Sequence, residues 1–177
     1  RLFEVYLREV DALVVGGLSP ARVDAALESF GMVMGPCRMV DMAGLDIASQ
    51  VVEQRSAQIP GGYPRAHRAL TRALAQAGRL GVKTGRGHYF YEGHQAVEDP
   101  ELGDWSERLK MELGLPDTTW LTDQEIVQRC LQPMVAEGLQ VLNERVAYRE
   151  TDVDLVWVDG YGFPAKQGGP MFYGRNR

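Results

Sequence analysis

A pattern that occurs twice constrains this chain more than any other feature. Leu2, Tyr6, Val10, Leu13 and Val14 fall on one helical stripe, with Glu4, Arg8 and Asp11 off it, so residues 1–15 are predicted to form an amphipathic helix. Gly16-Gly17 ends it, and Ser19-Pro20 then supplies an N-cap followed by a proline at the first helical position. That second helix carries Val23-Asp24, with Ala26, Leu27 and Phe30 also inward, and a glycine-led connector follows it to Gly35-Pro36. The order returns from Thr122. Thr122-Asp-Gln-Glu125 is a capping box opening a long amphipathic helix. Thr151 is predicted to cap a short helix with Val153-Asp154, Leu155 and Val156, before a connector ending in Gly169-Pro170. The offset is roughly 130 residues, too long for a solenoid repeat. It predicts an all-α protein of two related helical domains packed about a pseudo-two-fold axis.

Between these units the chain is punctuated by glycine and proline. A helix is expected to stop at Gly44, and Asp46 to cap the next one with Ile47, Val51 and Val52 facing inward. Residues 59–64 form a loop, and a helix is expected over 65–78 around Leu70, Ala73 and Leu74. The acidic, proline-broken stretch 93–119 reads as a linker holding one short helix near Trp105–Leu113. The domains are therefore placed at 1–92 and 120–177, the second truncated. A kink is expected at Pro133 inside the long helix.

Composition narrows the function classes. A net charge of −5 over 177 residues argues against general affinity for nucleic acid. No apolar run reaches the roughly 18 residues of a membrane span. Cys37 and Cys130 sit inside apolar helical patterns and fit buried thiols in a reducing compartment. His67, His88 and His94 show no metal-ligand spacing, and neither a Walker loop, a nucleophile elbow nor a dinucleotide fingerprint is present. Asp41 and Asp46 flank Gly44 and are read as capping and turn residues. The chain opens at Arg1 and closes at Arg177 in mid-motif, so it is expected to be a piece of a longer polypeptide.

One loop stands out. Lys83-Thr-Gly-Arg-Gly-His-Tyr-Phe-Tyr-Glu92 joins two glycines, a lysine and an extended aromatic tail. It is either a surface turn with a basic rim or a loop whose Lys83 reaches a phosphate or carboxylate.

Three groups of residues, taken together, resemble a known family: Phe30-Gly-Met-Val-Met-Gly-Pro36 with Asp41-Met-Ala-Gly-Leu-Asp46, Gly81-Val-Lys-Thr-Gly-Arg-Gly-His-Tyr-Phe-Tyr91, and Asp159-Gly-Tyr-Gly-Phe-Pro164 with Gly168-Gly-Pro-Met-Phe172. The chain is similar to the C-terminal part of L-3-hydroxyacyl-CoA dehydrogenases of the multifunctional fatty-acid oxidation type, which carry two copies of a helical domain. The resemblance implies the fold of the C-terminal domain of 6-phosphogluconate dehydrogenase. It also implies NAD as cofactor, an acyl-CoA substrate held with an upstream Rossmann domain, a homodimer as one assembly, and a cytoplasmic or peroxisomal location. The family's histidine–glutamate pair, and its asparagine immediately before the position of Arg1, fall outside these residues, so no catalytic residue carries over. Lys83 does carry over as a cofactor contact. Asp159 stands where some relatives place a substrate-contacting tyrosine, and Pro133 and His88 also depart from the pattern. Beside the enzymatic reading stand a purely structural packing or oligomerisation module and a helical binding module unrelated to dehydrogenases.

Overall fold

The computed structural model describes residues 1–93 and 95–176, so His94 and Arg177 lie outside the described residues. Helix α1 (Leu2–Val15) runs through the middle of the molecule. It packs against α2 (Pro20–Phe30), α5 (Ala69–Gln76), α6 (Glu101–Leu113) and α7 (Asp123–Asn143). Around these lie α3 (Pro36–Ala43), α4 (Leu45–Ala57), α8 (Glu150–Leu155) and α9 (Pro170–Arg175). The only sheet among the described residues is an antiparallel hairpin, β1 (Tyr89–Glu92) and β2 (Gln95–Glu98), with Tyr89 opposite Glu98. The all-α class therefore holds. The aromatic tail expected after the Lys83 loop is extended and finds its pairing partner in the stretch read as a linker.

That stretch is not loose. Leu102 and Ser106 of α6 are buried, and Thr118 is fastened to α1. Its hydroxyl donates to Leu13 O at 2.8 Å and its N–H donates to Gly16 O at 2.9 Å.

Two long-helix starts follow their local signals. Ser19 Oγ accepts from Arg22 N, and the Thr122/Glu125 capping box forms in both directions. Helix α7 runs on through Pro133.

Other helix starts depart from the sequence reading, each for a tertiary reason. Helix α5 begins at Ala69 and not near 65, because Arg68 is left-handed at φ 52°. Its first amides, Leu70 N and Thr71 N, donate to the carboxylate of Asp11 on α1. Asp11 was placed off the apolar stripe, yet it is buried by this contact. Glu4, also off the stripe, is buried against His67 Nε2 at 2.9 Å and Arg68. Helix α8 begins at Glu150, with Arg149 N donating to Asp152 Oδ2, so Thr151 is inside the helix and does not cap it. Of the apolar residues expected on it Val153 is buried, whereas Leu155 and Val156, the latter just past its end, face solvent.

Helix α4 is rotated relative to expectation. Its buried stripe is Leu45, Ser49 and Val52, which leaves Ile47 and Val51 on the outside. Asp46 sits in the first turn and Gly44 precedes the helix.

The repeated Val-Asp and Gly-Pro pairs have a common physical basis. Asp24 on α2 accepts from Cys37 N and Arg38 N at 2.8 and 3.1 Å, capping α3 from a distance. Asp154 on α8 accepts from Met171 N and Phe172 N at 2.7 and 3.2 Å, capping α9. A Cβ on Gly35 or Gly169 would sit 2.2 and 2.4 Å from the respective aspartate, so each glycine leaves room for the carboxylate to reach the helix.

Candidate functional site

The Lys83 loop is held by aspartates from elsewhere in the chain. After α5, the Arg79 guanidinium donates to Gly87 O and to Asp99 Oδ2, both at 2.7 Å, tying the loop to the segment before α6. Gly81, at φ 91°, lets the backbone lie directly on α3; a Cβ there would be 2.1 Å from Asp41 O. Gly81 N donates to Arg86 O at 2.7 Å, closing the turn around Val82–Thr84.

Asp41 is the hub. Its Oδ1 accepts from His88 N at 2.9 Å and faces His88 Nδ1 at 2.8 Å. Its Oδ2 accepts from Tyr89 N at 3.0 Å and Tyr91 OH at 2.9 Å. Burial pushes this carboxyl up, but the charge and hydrogen bonds of His88, with the amides of His88 and Tyr89, outweigh it and hold Asp41 below the usual carboxylate range. Tyr89 OH donates to Asp24 at 2.7 Å, so the carboxylate that caps α3 also anchors the hairpin. Burial dominates at Asp24 and lifts its carboxyl above the usual range.

Asp41 thus does more than cap or shape a turn. Its partners lie 47 to 50 residues away, and no local spacing signals them. His88 also takes a structural place here, buried on Asp41.

Lys83 is displayed at the rim of this clamp. Its Nζ lies 2.5 Å from Asp46 Oδ1, over the start of α4. Both side chains remain nearly half exposed, at 45 and 44%. The hydrogen bond from Lys83 holds the Asp46 carboxyl below its ordinary range. Ile47 and Val51 on α4 and Met42 on α3 are exposed close by in sequence. The site therefore offers a half-exposed cation beside a buried, hydrogen-bonded loop, with exposed apolar side chains on the adjoining helices.

Among the described residues no group of three or more His, Cys, Asp or Glu is placed to hold a metal ion, and no helix is long and apolar enough to cross a membrane. Cys37 and Cys130 are free and buried, and burial pushes both thiols up.

Comparison with known proteins settles the lineage. The family model of the 3-hydroxyacyl-CoA dehydrogenase C-terminal domain matches residues 1–91. The chain belongs to this family. Among curated proteins, the peroxisomal bifunctional enzyme of Danio rerio is 36% identical over 185 residues, covering 98% of this chain and 26% of that protein. The glyoxysomal fatty acid beta-oxidation multifunctional protein MFP-a of Cucumis sativus is 32% identical, covering 98% and 24%. The chain thus spans about a quarter of the length of these relatives. The solved dehydrogenase part of multifunctional enzyme 1 from C. elegans matches with a TM-score of 0.72 at 25% identity, over 92% of this chain and 36% of that one. The 3-hydroxybutyryl-CoA dehydrogenase of Escherichia coli shares the fold with a TM-score of 0.72 at 17% identity, over 99% of this chain and 52% of that one. Asp41 lies within the matched residues, and its partners His88, Tyr89 and Tyr91 close them.

Proposed function

We propose that this chain forms the helical region of an NAD-dependent 3-hydroxyacyl-CoA dehydrogenase of fatty-acid β-oxidation, with the peroxisome as its location. NAD, bound chiefly by residues upstream, accepts the hydride from the 3-hydroxyl carbon. The helical region closes the cleft over cofactor and acyl-CoA, and Lys83 reaches an anionic group of the cofactor. The observation that carries this reading is the mounting of Lys83. A buried clamp fixes the loop, while the lysine stays exposed on a single weak pair that an anionic ligand can compete for. Residues 1–92 and 120–177 act as two copies of one domain, a reading supported by the matching long-range caps from Asp24 and Asp154. The copies face each other as two subunits of a homodimer would.

The pairing of Lys83 with Asp46 favours one competing reading, in which the lysine serves packing alone. The longer protein, with its upstream domain, separates the two. It should oxidise 3-hydroxyacyl-CoA with NAD, and Lys83→Ala should raise the Kd for NAD about tenfold. The melting temperature should stay within about 2 °C, as for an exposed substitution. Unchanged NAD affinity with lowered stability would assign Lys83 to packing.

A further inference from the structure

Lys83 and Asp46, 37 residues apart in sequence, meet at a place shaped for them. Gly44, between α3 and α4, stands at φ 103°, a conformation that favours glycine. A Cβ on Gly44 would lie 2.9 Å from Lys83 Nζ, 3.3 Å from its Cε and 2.7 Å from Asp46 Oδ1. Any other residue there would push the two charges aside. The glycine opens the notch in which the pair sits.

The two partners differ in how they are held. The hydrogen bond from Lys83 is the first cause that keeps the Asp46 carboxyl below its ordinary range, and the amides of Ile47 and Asp46, in the first turn of α4, add to it. Leu45 N donates to Leu80 O at 3.3 Å, which ties the start of α4 to the chain entering the lysine loop. The carboxylate is thus set by its own helix on a short side chain, and the lysine comes to it on a long flexible stem.

An ammonium has three donors and no acceptor, and here one donor is given to a carboxylate. A phosphate drawn to Lys83 meets a second negative charge at the same ammonium, and the two anions repel. Binding therefore works against the pair. A half-exposed ion pair is weak, so the handicap is a factor of about three in apparent affinity.

We propose that Asp46 is a resident stand-in for the cofactor's anion: it holds Lys83 while the site is empty and recaptures it as the cofactor leaves. Asp46 is then a positioning residue that acts on NAD through Lys83 and favours release over tight binding. The proposal rests on the reading of Lys83 as a contact to NAD.

The test is made in the longer protein with its upstream domain. Asp46→Asn removes the charge and keeps an amide oxygen for the first turn of α4. It should lower the Kd for NAD about threefold and slow the stopped-flow release of NADH by a similar factor. Removing a merely structural contact would not tighten binding. In a Lys83→Ala background the same change should leave the Kd as it is. Weaker or unchanged NAD binding by Asp46→Asn would overturn the proposal. So would equal tightening with and without the lysine, since Asp46 would then repel the cofactor directly. If Lys83→Ala by itself leaves NAD affinity unchanged, the reading of Lys83 falls and the proposal with it. A loss with Lys83→Ala but no gain with Asp46→Asn sinks the proposal alone.

Discussion

Replacing Asp41 by alanine should be among the most damaging single changes in the molecule. The carboxylate is buried and accepts from two backbone amides, one imidazole nitrogen and one phenol. Each such bond contributes roughly 1 kcal/mol, and more where the acceptor is charged, so four lost bonds cost about 4–6 kcal/mol. For a chain of this length that lowers the melting temperature by roughly 10–20 °C. Asp41→Asn is the sharper probe. It preserves shape and one acceptor oxygen but turns an NH2 group towards donors, so it should cost about half as much. The pH dependence carries a definite sign. Asp41 is held below its ordinary range in the fold, so its linked stability is fully present above the unfolded carboxylate value, near pH 4. That stability is lost as pH falls through the folded value. Urea titrations between pH 6 and 2.5 should show a steep acid limb in the wild type and a shallower one in Asp41→Asn. If Asp41→Asn matches the wild type in both midpoint and acid limb, the clamp does not hold this loop.

Three further outcomes can be checked on the same chain. Gly81→Ala must enter a positive φ and meet the Asp41 backbone, so it should cost more than about 3 kcal/mol by denaturant titration. Asp24→Ala and Asp154→Ala should each cost about 1–2 kcal/mol for the lost cap, with Asp24 the larger because Tyr89 OH also loses its acceptor. Equal costs in urea would contradict that difference. On the function proposed above, this chain by itself should show no NAD-dependent oxidation of a 3-hydroxyacyl-CoA in a spectrophotometric assay, because that reading assigns the hydride acceptor's site and the base chiefly to residues outside it.

Much of the fold was readable locally. The α1 and α2 boundaries and the α7 capping box follow from apolar periodicity, Ser19-Pro20 and Thr122/Glu125, which act within a few residues. The repeated Val-Asp and Gly-Pro pairs were visible, but their physical basis was not, since Asp24 and Asp154 reach 13 and 17 residues ahead. The phase of α4 was misread because Ile47 and Val51 are apolar yet exposed, and residue type alone does not say which apolar stripe a helix buries. Lys83 was singled out by its unusual loop alone. Its partner Asp46 and the Asp41 hub were not, because both contacts join positions dozens of residues apart.

The long-range caps bear on how the chain acquires its structure. Helices α3, α5 and α9 span only eight, eight and six residues, too short to persist alone in water. The first turn of α5 is satisfied only when α1 is beside it, α3 needs α2, and α9 needs α8. Secondary structure here is therefore a product of docking and does not precede it. These helices should appear together with the packed core in one cooperative step, and a cut between α1 and α5 would leave neither piece with the lost turn. During synthesis, α1 would wait for α7, over a hundred residues later, before its remaining apolar face is covered.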